Sequence, residues 1–301
     1  MNSFKIDDEE SVNIRIDKFL FDQLNVSRSH IKKKIDEGQI LVNQEITKAS
    51  YKLRLDDEIE ILDIEPKVLK IKEENIPLDI FYEDQDVIVI NKPQGMVVHP
   101  APGNYSGTLV NALIYHCKDL SGINGELRPG IVHRIDKNTS GLLVCTKNDN
   151  AHNFLAEQFF NHTIKREYYA ITVNNVVLDK GTINKPLARH GLDRKKRAID
   201  RRGKEAITHY EVIERYSKYT LVRLTLETGR THQIRVHLAS IGNAVLGDDM
   251  YSQHKGKLNL QGQLLHAKTL GFIHPTTKEY MEFDSPLPEH FLKAIRYIKS
   301  N

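Results

Sequence analysis

Three observations on the 301-residue sequence predict an α+β fold with a large mixed sheet. First, candidate strands and helices do not alternate regularly, which disfavours a doubly wound parallel sheet. Second, Tyr219 to Glu227 alternates cleanly. Val222, Leu224 and Leu226 fall on one face, and Leu221, Arg223, Thr225 and Glu227 on the other, which is the period of a strand. Third, Leu264 to Ile273 and Lys278 to Phe283 flank Pro275-Thr276 as the arms of a hairpin. The length accommodates one large domain and one small one.

Residues 1 to 10 read as a loose acidic tail. From Val12 the pattern turns helical, with Ile16, Phe19, Leu20 and Leu24 at helical spacing. Ser27 is placed to cap a second helix that runs to about Glu37 and stops at Gly38. That helix carries Arg28, His30, Lys32, Lys33 and Lys34. Ile40-Leu41-Val42 with Asn43-Gln44 reads as a short strand and turn, and Asp57 to Ile61 as another strand. These elements bound a small domain over 12–63. Residues 64–78 mix charges with Pro66 and Pro77 and read as a linker. A larger domain takes 79–298.

Within it, Val87-Ile88-Val89-Ile90 is a buried-strand candidate, and Thr108 to Tyr115 a short helix. Ile131-Val132 leads as a strand into a polar loop, and Thr139-Ser140-Gly141 turns into the apolar run Leu142-Leu143-Val144. Asn150 to Phe160 suits a helix with Phe154, Leu155 and Phe159 in register, and Tyr168 to Val173 a strand. Thr231 to Ile241 suits a helix ended by Gly242, and Pro288 to Ile298 a terminal helix.

Composition narrows the function classes. The chain is 40% hydrophobic and 28% charged, which is globular rather than disordered. No apolar run approaches the ~20 residues of a membrane helix, and the first ten residues hold no apolar signal core. Cys117 and Cys145 form no motif, so a reducing, cytoplasmic setting is expected. A net charge of +3 names no partner. The run from Arg189 to Lys204, with Arg194, Lys195, Lys196, Arg197, Arg201 and Arg202, suits a polyanion about as well as it suits a solvated loop. Glycine-rich nucleotide cradles and G-x-S-x-G are both missing, so neither a nucleotide cofactor nor a serine hydrolase is expected. His232 and His237 are five apart, H-E-x-x-H does not occur, and no Cys pair has zinc spacing. No metal is expected.

What remains is a set of polar stretches between apolar strands. The central one is Gly130-Ile131-Val132-His133-Arg134-Ile135-Asp136-Lys137-Asn138-Thr139-Ser140-Gly141. It holds one carboxylate, Asp136, between Arg134 and Lys137. A carboxylate among cations is favoured in its ionised form, which suits a nucleophile or electrostatic stabiliser better than a general acid. Taken alone, the cluster reads as a surface ion pair on a hairpin. The other stretches are Asn91 to Pro100, Lys165 to Ala170, Thr228 to Leu238 with Leu246-Gly247-Asp248 and Tyr251, and Leu265-His266-Ala267 through His274-Pro275.

Together these stretches resemble the RluA-type RNA pseudouridine synthases, most of all the branch acting on large-subunit ribosomal RNA, pseudouridine synthase D. The motif His133-Arg134-Ile135-Asp136-Lys137-x-Thr139-Ser140-Gly141 is the most specific part, with Ile135 where Leu is usual. Ala244 stands where the family often has His-Pro, which touches a loop and not the chemistry. The small domain resembles the alpha-L RNA-binding domain in Arg15 to Leu20, Ser27-Arg28-Ser29, Ile35, Gly38, Ile40, Val42-Asn43 and the Asp57 region.

The resemblance implies a catalytic domain on a mixed, mainly antiparallel sheet flanked by helices and loops. It also implies isomerisation of uridine to pseudouridine in RNA, without a cofactor. It makes Asp136 the catalytic carboxylate, Tyr168 the active-site tyrosine that a base can stack on, and Arg235 the arginine paired with Asp136. Arg134 is placed to fill the position of a flipped base or to hold a phosphate, and Arg230 to bind a phosphate. Arg28, Lys32 and Lys33 should face RNA phosphates. His133 and His237 are expected to be structural, and Tyr169, on the opposite strand face from Tyr168, to be packing. The expected partner is RNA, ribosomal or alternatively transfer RNA, with the protein a monomer. Two other readings compete: a non-catalytic RNA-binding or ribosome-assembly factor, and a hydrolase using Asp248 or Asp249 as a second carboxylate.

Overall fold

The computed structural model describes residues 2–9, 11–24, 28–62, 71–101, 103–123, 129–253 and 258–300. The chain divides into two compact units, Met1–Val68 and Leu69–Asn301.

In the first unit, β1 (Asn2–Lys5) precedes α1 (Ile16–Gln23), α2 (Arg28–Asp36), β2 (Ile40–Val42), β3 (Glu45–Ile46) and β4 (Glu58–Ile61). The strands form one antiparallel sheet in the order β1-β4-β2-β3. Asn43 and Gln44 both take positive φ, 52° and 67°, in the turn between β2 and β3, the geometry of a two-residue hairpin. Ile16 and Leu20 of α1 and Ile31 and Ile35 of α2 are fully buried with Ile40 and Ile59 of the sheet. Lys32 and Lys33 point out to solvent. Within the stretch expected to be a loose tail, Asn2–Lys5 instead form an edge strand, with Phe4 the register partner of Ile59 of β4, and Ile6 is fully buried. Ser27, the expected cap of α2, and the side chain of Arg28 lie outside the described residues.

In the second unit, the large sheet runs β5 (Ile80–Glu83), β6 (Val87–Lys92), β7 (Ser140–Thr146), β14 (Leu265–Ile273), β8 (Lys165–Val173), β13 (Tyr219–Leu226), β12 (Ile207–Arg215), β9 (Lys180–Asn184). A further strand, β15 (Tyr280–Asp284), pairs with β14. Among the described residues, only β7 and β14 pair parallel, and the other pairings of this sheet are antiparallel. A separate hairpin, β10 (Leu187–Arg189) with β11 (Arg197–Ile199), carries the basic run. Helices cover both faces. α3 (Leu109–His116) and α5 (Gln233–Ala239) pack with Ile88, Leu143, Tyr168 and Leu224. On the other face, α4 (Asp149–Phe160) packs with Val89 and Val144, and α6 (Glu289–Ser300) with Ile171 and Leu221.

β7 is buried along its whole length because both faces are covered. Gly141 makes its parallel contact possible: φ is +113°, and a Cβ there would lie 2.2 Å from the Ala267 carbonyl oxygen. Three expectations change. Ile131-Val132 is not a strand; Ile131 makes a single bridge to Cys145. The helix expected over Thr231 to Ile241 is shorter, because His232 sits in the left-handed region at φ 59° and starts it. Residues 71–78, taken as linker, belong with the larger unit: Asn111 Nδ2 donates to the Lys72 carbonyl at 2.8 Å, and Ile71 and Leu78 pack on the core. Residues 63–70 of the linker lie outside the described residues. No helix among the described residues is long and apolar enough to cross a membrane.

Candidate active site

Asp136 lies in the loop before β7, half-buried, in a cleft that it lines with Tyr168, Arg134, Arg230, His232 and Arg235. Arg235 comes from α5, 99 residues along the chain, and its Nη1 donates to Asp136 Oδ2 at 3.0 Å. The cation that holds the carboxylate is therefore neither sequence neighbour. Arg134 is exposed and donates from Nη1 to His99 Nε2 at 3.3 Å. Lys137 is also exposed.

The Asp136 loop is braced from behind by the stretch after β6. Lys92 is fully buried. Its Nζ donates to the carbonyls of Pro93 (2.8 Å), Met96 (2.9 Å) and Lys137 (3.1 Å). Gly95 N donates to the same Lys137 carbonyl at 2.9 Å. Gln94 Nε2 bridges the carbonyls of Asn138 and Gln263, each at 3.2 Å. Burial pulls the Lys92 ammonium down to about 7, with the charge of Asp136 opposing. Three carbonyl acceptors match the three donors of the protonated amine. The sequence signal was a lysine ending an apolar strand, a position where an unpaired cation is costly.

Arg235 is itself held. Burial works against its charge, but Asp248 and Asp136 outweigh that cost and lift the guanidinium above its ordinary range. Nε and Nη2 donate to Asp248 Oδ2 and Oδ1 at 2.7 and 2.9 Å. Asp248 is fully buried in this pair, whereas Asp249 is 71% exposed. Asp248 is thereby committed to Arg235, which argues against it as the second carboxylate of a hydrolase.

Tyr168 is buried, and burial pushes its phenol up, with Arg166 lowering it and Asp136 adding to the rise. It stays protonated at neutral pH. Its neighbour Tyr169 packs on the opposite face. His232 lies 3.9 Å from Asp136 Oδ2, and burial lowers its imidazole despite that charge. His133 accepts the Val144 N–H at Nε2 (3.0 Å), stacks on Phe159 and is pulled down to about 3 by burial and Arg166. His237 is fully buried between the Thr208 hydroxyl and the Lys185 carbonyl, each at 2.9 Å. Arg230 donates from Nε to the Glu205 carbonyl at 3.0 Å and lines both the Asp136 cleft and a second cleft with Arg189, Arg197, Arg202 and Lys204. Lys32 and Lys33 belong to the first unit.

Among the described residues, two groups of side chains lie within metal-ligand reach of one another. In Asp84–Asp86–His274, His274 Nδ1 accepts the Thr276 and Thr277 N–H groups, so its proton is on Nε2 and is given to Asp84. That is a turn clasp. In Glu83–His116–Cys117, Glu83 is already paired with Lys147 and His116. Burial raises the Cys117 thiol to about 11, with Glu83 adding to the rise, the opposite of what a metal ligand needs.

Known proteins resemble this chain in sequence and in fold. Residues 86–240 match the RNA pseudouridylate synthase family, and residues 14–59 match the S4 domain. The chain is 50% identical over 294 residues to an uncharacterised RNA pseudouridine synthase, YlyB, of Bacillus subtilis (strain 168), covering 97% of each chain. It is 45% identical over 294 residues to ribosomal large subunit pseudouridine synthase D of Zymomonas mobilis, covering 93% of this chain and 92% of that one. Among solved structures, human RNA pseudouridylate synthase domain containing 1 superposes with a TM-score of 0.58 at 23% identity, over 79% of this chain and 98% of that one, a likeness of fold. With an RNA-binding S4 domain ahead of a synthase domain, the chain belongs to the RNA pseudouridylate synthase family and is an RNA pseudouridine synthase.

Proposed function

We propose that the chain isomerises uridine in large-subunit ribosomal RNA, with Asp136 as the reacting carboxylate. The observation that carries this is the Asp136–Arg235 pair in an accessible cleft roofed by α5 and lined by Tyr168. The names of relatives at 40–45% identity, ribosomal large subunit pseudouridine synthase D, support the choice of RNA.

In this reading the target base leaves its stack and enters the cleft. Tyr168 offers its ring to the base, and Arg134 takes the vacated place or a neighbouring phosphate. The bond from ribose C1′ to N1 breaks and one from C1′ to C5 forms; C5 loses its proton to water and N1 gains one. Reactants and product have the same atoms, so the chemistry consumes no cofactor. Asp136 attacks the nucleoside covalently or assists base departure. Arg230 and the basic cleft beside it hold flanking phosphates, as do Arg28, Lys32 and Lys33 of the S4 domain. The protein acts as a monomer in the cytoplasm.

The test is tritium release from large-subunit ribosomal RNA labelled at uracil C5, run beside transfer RNA. Release from the ribosomal RNA without free uracil is expected. Free uracil would mean hydrolysis, no release a binding factor, and release from transfer RNA alone a different substrate. Loss of one mapped pseudouridine in ribosomal RNA from a deletion strain would identify the site.

A further inference from the structure

We propose that Arg166 is an RNA-binding residue: past Gly229 its guanidinium meets a backbone phosphate next to the target nucleotide, shared with Arg230. This deepens, and rests on, the reading that Arg230 and the basic cleft beside it hold flanking phosphates.

Arg166 lies on β8 two residues before Tyr168, on the same strand face, and is only 7% exposed. No carboxylate pairs with it among the described residues; the titratable groups that act on it are Tyr168 and Arg230. Nη2 donates to the Glu227 carbonyl at 2.9 Å and to that of Leu226 at 3.5 Å, and the Phe159 ring centre lies 5.7 Å from the guanidinium carbon. Those contacts occupy one nitrogen and one face. Nε is buried without a partner, and Nη1 makes no hydrogen bond among the described residues. A buried cation with neither an acid nor a full set of acceptors is costly. An anion brought by the substrate removes that cost, and a planar guanidinium suits phosphate oxygens.

Gly229 leaves the way in. It is exposed, and its φ lies outside the left-handed region, so space rather than backbone conformation calls for glycine. A Cβ there would lie 2.6 Å from Arg166 Nη1. The edge of the guanidinium therefore fills the place of a side chain at 229, on the wall of the second cleft. Arg189, Arg197, Arg202, Lys204 and Arg230 line the same cleft. Arg230 also lines the Asp136 cleft. A phosphate held by Arg166 and Arg230 thus lies where the RNA backbone passes from one cleft to the other.

The experiment uses the full chain and a large-subunit ribosomal RNA transcript in filter binding across a salt series. Arg166→Met replaces the cation by an apolar side chain of similar length. Affinity should fall about tenfold, the worth of a charge-assisted hydrogen bond, and the slope of log K against log salt should flatten by about 0.7–0.9. The thermal midpoint should hold or rise, because an unpaired buried charge is gone. Gly229→Ala keeps the charge but pushes Nη1 aside. It should weaken binding in wild type and cost less than about twofold in the Arg166→Met background. Unchanged affinity and salt slope in Arg166→Met, or a lowered midpoint with RNA binding intact, would overturn the proposal and leave Arg166 a structural brace. Should Arg166→Met not fold, Gly229→Ala alone decides, and wild-type affinity there would overturn it. Arg230→Gln runs alongside: an unaltered slope in that variant counts against the phosphate reading of the cleft, whereas a loss there without one in Arg166→Met counts against Arg166 only.

Discussion

If the Tyr168 ring stacks on the target base as proposed, ring surface is the quantity that matters there. A base stacked on an aromatic side chain gains about 1–3 kcal/mol. Tyr168→Ala should therefore lower kcat/KM by roughly 5- to 150-fold, and Tyr168→Phe should keep most of it. A Phe variant as poor as Ala would assign the work to the hydroxyl instead. Tyr168, Arg235 and Asp136 were legible because they sit in recognisable motifs, and the structure brings all three to one cleft. Arg134 and Lys137 misled as charge partners, since adjacency along a loop does not set side-chain direction. Lys92 was missed for a different reason. Its three acceptors are backbone carbonyls, one of them 45 residues away, and carbonyls leave no mark on residue identity.

Among the elements, β7 and β14 pair in parallel, and His266 ties them together. His266 is fully buried, with Nδ1 at 2.9 Å from the Ser140 hydroxyl on β7 and Nε2 at 2.9 Å from the Ser285 hydroxyl just past β15. Burial, with Lys268 and His290 adding to it, pulls its imidazole down to about 4. Between about pH 4 and the unfolded value near 6.5, the unfolded chain binds the extra proton, so stability rises with pH across that window. The contribution is intact above about pH 6.5 and is lost as pH falls toward 4. In urea unfolding, the gap between wild type and His266→Asn should narrow on acidification by up to about 1.4 kcal/mol per pH unit. A gap that does not vary with pH would contradict this. The hairpin β14–β15 and the alternation of β13 were readable because their signals are local. The parallel register of β7 and β14 was not, since its partners lie 126 residues apart, and β1 was lost because its partner β4 begins more than fifty residues later.

For the whole molecule, the S4 domain supplies RNA affinity and the synthase domain supplies chemistry. Lys32 and Lys33 are exposed on α2, and Lys33 pairs with Glu37 at 3.5 Å. Lys32→Glu with Lys33→Glu in the full chain should weaken RNA binding. It should also flatten the dependence of log K on log salt by about 0.7–0.9 per lost phosphate contact. Single-turnover rates at saturating protein should be unchanged. An unaltered salt slope would remove both lysines from the interface. The two-domain order was visible in the sequence because each domain carries its own motif. The sharpest measurement concerns one oxygen pair on one side chain: tritium release by Asp136→Asn, folded and RNA-bound as wild type, from RNA labelled at uracil C5. No release above background is expected, and release at a rate near wild type would contradict Asp136 as the reacting carboxylate.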